Sequence, residues 1–227
     1  MSADRKHWVI GILSGLAMAA SWYAGLRLAP TDEHMGDVYR IIYVHVPSAF
    51  TAFASAFALL VTSIACIRNQ GERWLDFSKA VAEVGLLFTV LCLATGSIWG
   101  KPTWGTWWTW DARLTTTFLL GILYTGWLIL HSSWSPGPQR MKICGALGIL
   151  IAADVPVIYQ SVNWWRTLHQ PQSIVRSGGS TMAPEMLQTL MFSVLAMLLF
   201  AAWLSIQRFL NLTLRGQIES ASYKEMK

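Results

Sequence analysis

The sequence predicts an all-α polytopic membrane protein with six transmembrane helices. Hydrophobic residues make up 54% of the 227 residues and charged residues only 13%, which is too apolar for an ordinary soluble domain. Six apolar stretches are long enough to cross a bilayer core of about 30 Å. Because backbone groups in lipid must be satisfied within the segment, each stretch is expected to be helical. No stretch shows the short alternating pattern of a membrane β-barrel.

The six spans follow one another without a linker, low-complexity tract or internal repeat, so residues 1–227 are predicted to form a single membrane domain. The first span resembles a secretory signal, because Arg5 and Lys6 precede its apolar run. Its apolar character continues through Trp22 and Tyr23, which predicts an uncleaved helix. The predicted spans lie near residues 8–28, 47–67, 80–98, 114–132, 141–159 and 185–207, and the tail 208–227 is expected to form a short polar helix.

The distribution of Lys and Arg predicts the orientation of the helices, since cytoplasmic loops carry an excess of both residues. With the N-terminus inside, 11 of the 17 Lys and Arg residues fall in cytoplasmic segments and 6 in outer ones. Both termini are therefore predicted to be cytoplasmic, and the outer segments to face the periplasm. The outer residues in this count are Arg27, Arg40, Lys101, Arg113, Arg166 and Arg176, and the cytoplasmic ones are Arg5, Lys6, Arg68, Arg73, Lys79, Arg140, Lys142, Arg208, Arg215, Lys224 and Lys227.

A tryptophan-rich segment in the second outer connection, residues 99–113, is the most informative local feature. Four tryptophans fall within seven residues, and Asp111 and Arg113 follow closely. Isolated interfacial tryptophans are ordinary membrane anchors, but this density beside charged residues favours a flat aromatic surface for a planar ligand. If the segment is helical, the first three tryptophans share one face with Asp111. The four tryptophans are Trp104, Trp107, Trp108 and Trp110.

Two histidines lie on the same predicted side of the membrane as this segment. His45 stands just before Pro47, a residue that suits the first turn of a helix, and His169 follows Trp164 and Trp165 at the next outer boundary. A single interfacial histidine is most often a hydrogen-bonded surface residue. A pair of histidines near six tryptophans predicts instead the two axial ligands of a haem iron.

A haem also needs flat apolar walls, which the four tryptophans can supply, and cationic partners for its propionates. Arg113 is the expected propionate partner, because a guanidinium fork matches a carboxylate. Lys101 is equally near in the sequence, and Arg40 and Arg166 are further candidates. Asp111 cannot bind a propionate itself, so it is expected to accept an indole N–H or to orient Arg113.

The remaining titratable residues are given structural interpretations. His7 and His131 are predicted to be interfacial anchors, and His34 a solvated loop residue. Glu83 is expected to reach the cytoplasmic interface, whereas Asp154, in the middle of the fifth span, is expected to serve helix packing or contact with a partner. The cysteines, which lie in predicted spans and form no CxxC motif, are expected to be apolar filler. They are Cys66, Cys92 and Cys144.

Three runs of this sequence resemble the tryptophan-rich "WWD" group of haem-handling membrane proteins. They are Gly100-Lys101-Pro102 with Trp104-Gly105-Thr106-Trp107-Trp108-Thr109-Trp110-Asp111-Ala112-Arg113-Leu114-Thr115, Tyr39-Arg40-Ile41-Ile42-Tyr43-Val44-His45-Val46-Pro47, and Ser161-Val162-Asn163-Trp164-Trp165-Arg166-Thr167-Leu168-His169-Gln170. Within that group the chain resembles the CcmC family of bacterial cytochrome c maturation. The tryptophan-rich run carries the resemblance to the group, and the two histidine-containing runs, the length and the six spans narrow it to this family. The CcmF and CcsA relatives share the tryptophan signature but are larger and have more spans.

The resemblance implies a haem site at the periplasmic face of the bacterial inner membrane, with the residues matching His45 and His169 as axial ligands of haem b. Members of this family present haem to the periplasmic chaperone CcmE, which attaches it covalently through a histidine. They work with CcmA, CcmB and CcmD in an ABC-type complex, and ATP hydrolysis by CcmA releases the loaded chaperone.

We therefore expect a haem-transfer scaffold and not an enzyme with turnover of its own, any ATP hydrolysis being the work of a partner subunit. Three alternatives stay open at this point: a b-type cytochrome that carries electrons, a haem permease, and a structural anchor whose tryptophans form only an interfacial belt. The position of the histidine pair at one membrane face argues against the first alternative. The scarcity of polar residues across the spans argues against the second.

Overall fold

The computed structural model describes residues 3–69, 71–171, 174 and 178–225. Within these ranges the chain forms six α-helices and no strand, and all six are long and apolar enough to cross a membrane. The predicted fold class is therefore confirmed. The helices are α1 (Ala3–Tyr23), α2 (Ile42–Asn69), α3 (Glu72–Trp104), α4 (Ala112–Ser133), α5 (Pro138–Trp164) and α6 (Pro184–Glu225). Arg176 and Lys227, which entered the charge count, lie outside the described residues.

Helix α2 is the centre of the bundle, because it packs against α3, α5 and α6. Helix α4 packs against both α3 and α5, and α1 lies on α6. Two fully buried aromatic side chains of α4 fasten it to its neighbours. Trp127 Nε1 donates to the carbonyl of Cys144 at 2.8 Å, and the Tyr124 hydroxyl donates to the carbonyl of Ala52 at 3.0 Å. Both polar atoms are thus satisfied inside the apolar core.

Most helices extend beyond the apolar spans predicted for them. Helix α2 begins at Ile42, directly after a 3₁₀ turn over Asp37–Ile41, so Pro47 lies inside the helix. The prediction that Pro47 occupies the first turn of this helix is therefore wrong. Helix α6 continues to Glu225, so the polar tail is part of it and not a separate short helix. The physical reason is that hydropathy detects only the part of a helix that lipid surrounds, whereas backbone hydrogen bonding continues into its polar ends.

The tryptophan-rich segment is divided between a helix end and an irregular turn. Helix α3 ends at Trp104, because Gly105 adopts a left-handed conformation with φ 78° and its N–H bonds the carbonyl of Lys101 at 3.1 Å. Glycine adopts this conformation without steric strain. Helix α4 begins only after Asp111. The prediction that the first three tryptophans share one helical face with Asp111 is therefore wrong.

The intramembrane polar residues differ in how they are satisfied. Glu83 of α3 forms a two-bond ion pair with Arg208 of α6, with one N–O distance of 2.9 Å, and so joins two helices. His131 is not an interfacial anchor, because it is buried and stacks on Trp127 with ring centroids 5.4 Å apart. Asp154 is buried, and its Oδ2 has no partner among the described residues. The cysteines are free and buried, in keeping with a filler role.

Candidate functional site

A cavity of about 200 Å³ lies between α2, α3, α4 and α5, at the end of the bundle where α3 leads into α4. The segment after α5 reaches the same place, since His169 and Ile174 also line this cavity. Its walls are mainly apolar and aromatic. The residues used below that line it are His45, Cys92, Gly96, Trp99, Trp104, Trp108, Arg113, Tyr159 and His169. The structure thus brings together both histidines predicted as ligands, although 124 residues separate them in the chain.

His45 stands in the first turn of α2 and is anchored to α3. Its Nδ1 lies 3.1 Å from the carbonyl of Cys92 and 3.1 Å from Thr95 Oγ1. A carbonyl can only accept, so Nδ1 carries the proton and donates it. The Nε2 atom bonds no described residue and keeps its lone pair. This is the usual arrangement of a metal-binding histidine, whose other ring N–H is held by a carbonyl or carboxylate.

His169 has the same arrangement on a different kind of support. It lies in the irregular segment after α5, and its Nδ1 donates to the carbonyl of Gln170 at 2.8 Å, which leaves Nε2 free of bonds within the described part of the chain. Burial, and next the positive charge of Arg113, lower the pKa of His169 to about 4. The imidazole is therefore neutral at physiological pH, the state in which it can coordinate a metal.

Arg113 is the cation of the cavity. Its side chain is held by α5, because Nη2 donates to the carbonyl of Tyr159 at 2.8 Å and Nε donates to Ser161 Oγ at 3.4 Å. The remaining terminal nitrogen, Nη1, bonds no described residue. A guanidinium fixed on one side and open on the other can bind a ligand carboxylate within the cavity.

The four tryptophans of the segment play two different structural parts. Trp104 and Trp108 line the cavity, as predicted for walls of a flat ligand. Trp107 and Trp110 are 55% and 75% exposed and do not line it. Trp110 instead packs edge-on against Trp108, with ring centroids 5.7 Å apart, and so supports a wall from outside.

Among the described residues, Asp111 forms no hydrogen bond to an indole N–H and none to the side chain of Arg113. Its Oδ1 accepts the backbone N–H of Arg113 at 2.9 Å, which caps the N-terminus of α4. Its Oδ2 accepts the backbone N–H of Leu168 at 2.7 Å. The carboxylate is buried. Asp111 therefore connects α4 to the segment that carries His169.

The other cationic candidates do not line the cavity. Lys101 Nζ donates to the carbonyl of Gly105 at 3.0 Å and so closes the end of α3. Arg40 pairs with Asp37 at 2.8 Å. Arg166 is exposed and does not line the cavity. Of the four cations considered for a propionate, only Arg113 lines the cavity.

Two cavity residues on α3 were not singled out from the sequence. Trp99 packs edge-on against His45 with ring centroids 5.7 Å apart. Gly96 leaves room for that imidazole, since an added Cβ would lie 2.9 Å from His45 Cε1. Together with Cys92 they follow a helical spacing of four and three residues, which places them on one face.

Comparison with known proteins adds the family. The family model described as "Heme exporter protein C" (CcmC) matches residues 1–224. The chain is 39% identical to "Heme exporter protein C" of Haemophilus influenzae over 185 residues, 82% of this chain and 75% of that protein. It is 35% identical to the protein of the same name from Escherichia coli strain K12 over 205 residues, 90% and 82% of the two chains. A Marchantia polymorpha mitochondrial protein described as "cytochrome c biosynthesis ccmC-like" is 41% identical over 162 residues, 71% of this chain and 68% of that protein.

Proposed function

The chain belongs to the heme exporter protein C (CcmC) family, and from that premise we propose that it binds haem b between His45 and His169 and hands it to the periplasmic chaperone CcmE during cytochrome c maturation. The relatives are named for haem export and cytochrome c biosynthesis. We place the cavity at the periplasmic face of the inner membrane, in accordance with the excess of Lys and Arg in the opposite segments.

The observation that carries this proposal is the hydrogen-bonding state that the two distant histidines, His45 and His169, share. Each donates its Nδ1 proton to a backbone carbonyl, at 3.1 Å for His45 and 2.8 Å for His169, and each keeps Nε2 unbonded at the same cavity. Haem brings an iron that accepts two axial nitrogen ligands. A cavity that presents two neutral imidazoles with free Nε2 atoms and apolar walls fits that requirement without rearrangement of either hydrogen bond.

The remaining groups hold the periphery of the ligand. Arg113 offers Nη1 to a propionate while Tyr159 and Ser161 fix the other nitrogens of its guanidinium. Trp104 and Trp108 supply apolar walls at the side where the tryptophan segment leaves α3. Since aromatic and apolar contacts are not directional, this wall holds a flat macrocycle without fixing it as rigidly as a covalent bond would.

The protein acts in this proposal as a transfer scaffold and not as an enzyme. Its own residues bind, orient and release the cargo, and the energy of ATP hydrolysis enters through CcmA, with CcmB and CcmD as the other membrane partners. The exposed tryptophans Trp107 and Trp110 stand beside the cavity wall. We place the contact with CcmE on this side, where the chaperone can reach the haem edge.

The decisive experiment is the visible absorption spectrum of the purified protein beside the variants His45→Ala and His169→Ala. We expect a six-coordinate low-spin haem in the wild type and loss of one strong-field ligand in each variant. His34→Ala is the matched control, because His34 is an exposed histidine that does not line the cavity. A haem-free wild type after haem-replete expression, or unchanged spectra in both variants, would overturn the proposal.

A further inference from the structure

The two histidines of the cavity are positioned by very different structures. His45 belongs to α2 and is anchored on α3, so two packed helices define its place. His169 belongs to an irregular segment, and among the described residues its ring bonds the neighbouring Gln170 carbonyl. A bond between adjacent residues cannot fix the ring relative to the helices. Something else must hold this segment at the cavity.

The carboxylate of Asp111 meets that need. Its two oxygens accept two backbone N–H groups from different parts of the chain, Arg113 at 2.9 Å and Leu168 at 2.7 Å. Leu168 immediately precedes His169. Asp111 as a whole is only 8% exposed, so water competes poorly for these charge-assisted bonds.

We infer that Asp111 is a positioning residue for the His169 ligand: its Oδ2 holds the Leu168 N–H and thereby fixes the His169 segment against α4, while its Oδ1 caps that helix. This inference rests on the proposed haem site and goes beyond it by assigning the motif aspartate to one ligand and not to the haem itself.

The substitution Asp111→Asn separates the two roles of the carboxylate. Asn caps helices as well as Asp does, so the first turn of α4 keeps its acceptor. The amide has only one oxygen, so it can keep only one of the two bonds. With that oxygen at the helix cap, which is the position that Asn favours, its NH₂ group faces the Leu168 N–H, donor against donor. The tether is therefore lost while the cap is retained. Asp37→Asn is the matched control, because Asp37 is an exposed carboxylate that contacts Arg40 and Thr31 and not the cavity.

The first measurement is hydrogen–deuterium exchange by mass spectrometry on the haem-free protein. We expect the Leu168 amide to exchange about tenfold faster or more in Asp111→Asn, as for loss of a bond to a charged acceptor, with the first turn of α4 unchanged. Equal exchange at Leu168, or an equal loss of protection in α4, would overturn the inference. If the variant does not accumulate in membranes, amide exchange in the wild type tests the inference. The Leu168 amide must then exchange more slowly than the amides of Arg166 and Thr167, and equal exchange would overturn the inference.

The second measurement is the spectrum of the haem-loaded variant. We expect Asp111→Asn to gain the high-spin component seen in His169→Ala, and added imidazole to restore the low-spin spectrum in both. Asp37→Asn should match the wild type. A fully low-spin spectrum in Asp111→Asn without imidazole would contradict the inference. A haem-free wild type would count against the proposed function, whereas the exchange experiment tests the tether in either case.

Discussion

The two imidazoles of the cavity share a hydrogen-bonding state but differ in how far their surroundings constrain them. The His45 ring is bonded to α3 and packs against Trp99. The His169 ring lies in a segment without regular structure and is bonded to its neighbour along the chain. In the proposed haem site, such a pair would allow one ligand to leave without disturbing the helices.

The lowered pKa of His169 predicts how ligation depends on pH. An unperturbed histidine has a pKa of about 6.5, whereas burial and the charge of Arg113 bring that of His169 to about 4. A lowered pKa means that the neutral, ligating form persists as the pH falls. We expect the low-spin spectrum to be unchanged between pH 7.5 and pH 5, and to decline only towards pH 4.

An absorption titration of the haem-loaded protein in detergent measures this dependence. Haem ligated by free imidazole at a fixed concentration in the same detergent is the control, and its ligands should be lost at a higher pH than those of the protein. A midpoint close to 6.5 for the protein would show that the surroundings of His169 do not protect the ring from protonation.

At the scale of helices, the bundle depends on close approaches that only glycine permits. An added Cβ at Gly85 of α3 would lie 2.4 Å from Cζ of Tyr124 in α4. That ring is fully buried, and its hydroxyl donates to the carbonyl of Ala52 in α2. The contact therefore joins three helices of the core through one side chain that has no room to move.

The substitution Gly85→Ala is expected to destabilise the protein by about 1–3 kcal/mol, as overpacking of a closely packed core does. The loss should appear as a lower unfolding temperature in detergent. Gly126→Ala in α4 is the matched control, because a Cβ there meets nothing within 4 Å. Equal unfolding temperatures for the two variants would mean that Tyr124 can be displaced without loss of stability.

At the scale of the whole molecule, successive helices run in opposite directions through the bundle. The connections after α1, α3 and α5 therefore lie at one end, and those after α2 and α4 lie at the other. Contacts between the connections support this, since Leu168 bonds Asp111 and Gln170 Nε2 contacts Met35 Sδ at 3.5 Å. At the opposite end, Arg140 and Glu72 form an ion pair at 2.8 Å. The excess of Lys and Arg predicts that this second end faces the cytoplasm.

Labelling of single introduced cysteines tests this orientation. His34→Cys lies in the exposed connection before α2. It is expected to react with a membrane-impermeant maleimide in cells whose outer membrane is permeable to the reagent and whose inner membrane is intact. Ser135→Cys, in the exposed connection between α4 and α5, is expected to react only after the inner membrane is permeabilised. The native cysteines are buried, so the background should be low. The reverse pattern would invert the topology and place the cavity in the cytoplasm.

The sequence alone determined the fold class, because an apolar stretch of sufficient length has few alternatives to a helix in lipid. It also predicted a site in the tryptophan-rich segment, since motif density and charge are local properties, and Trp104, Trp108 and Arg113 of that segment line one cavity. The pairing of His45 with His169 came from a shared membrane side, which the positions of Lys and Arg indicate. These inferences needed no knowledge of packing.

Only the tertiary structure decided what each of these residues touches. A left-handed Gly105 ends α3 inside the motif, and this removes Trp107 and Trp110 from the cavity wall. The bond from Leu168 to Asp111 joins residues 57 positions apart, and local patterns carry no information about such a contact. Hydropathy and spacing record what surrounds a segment, whereas hydrogen bonds between distant segments depend on how the helices pack.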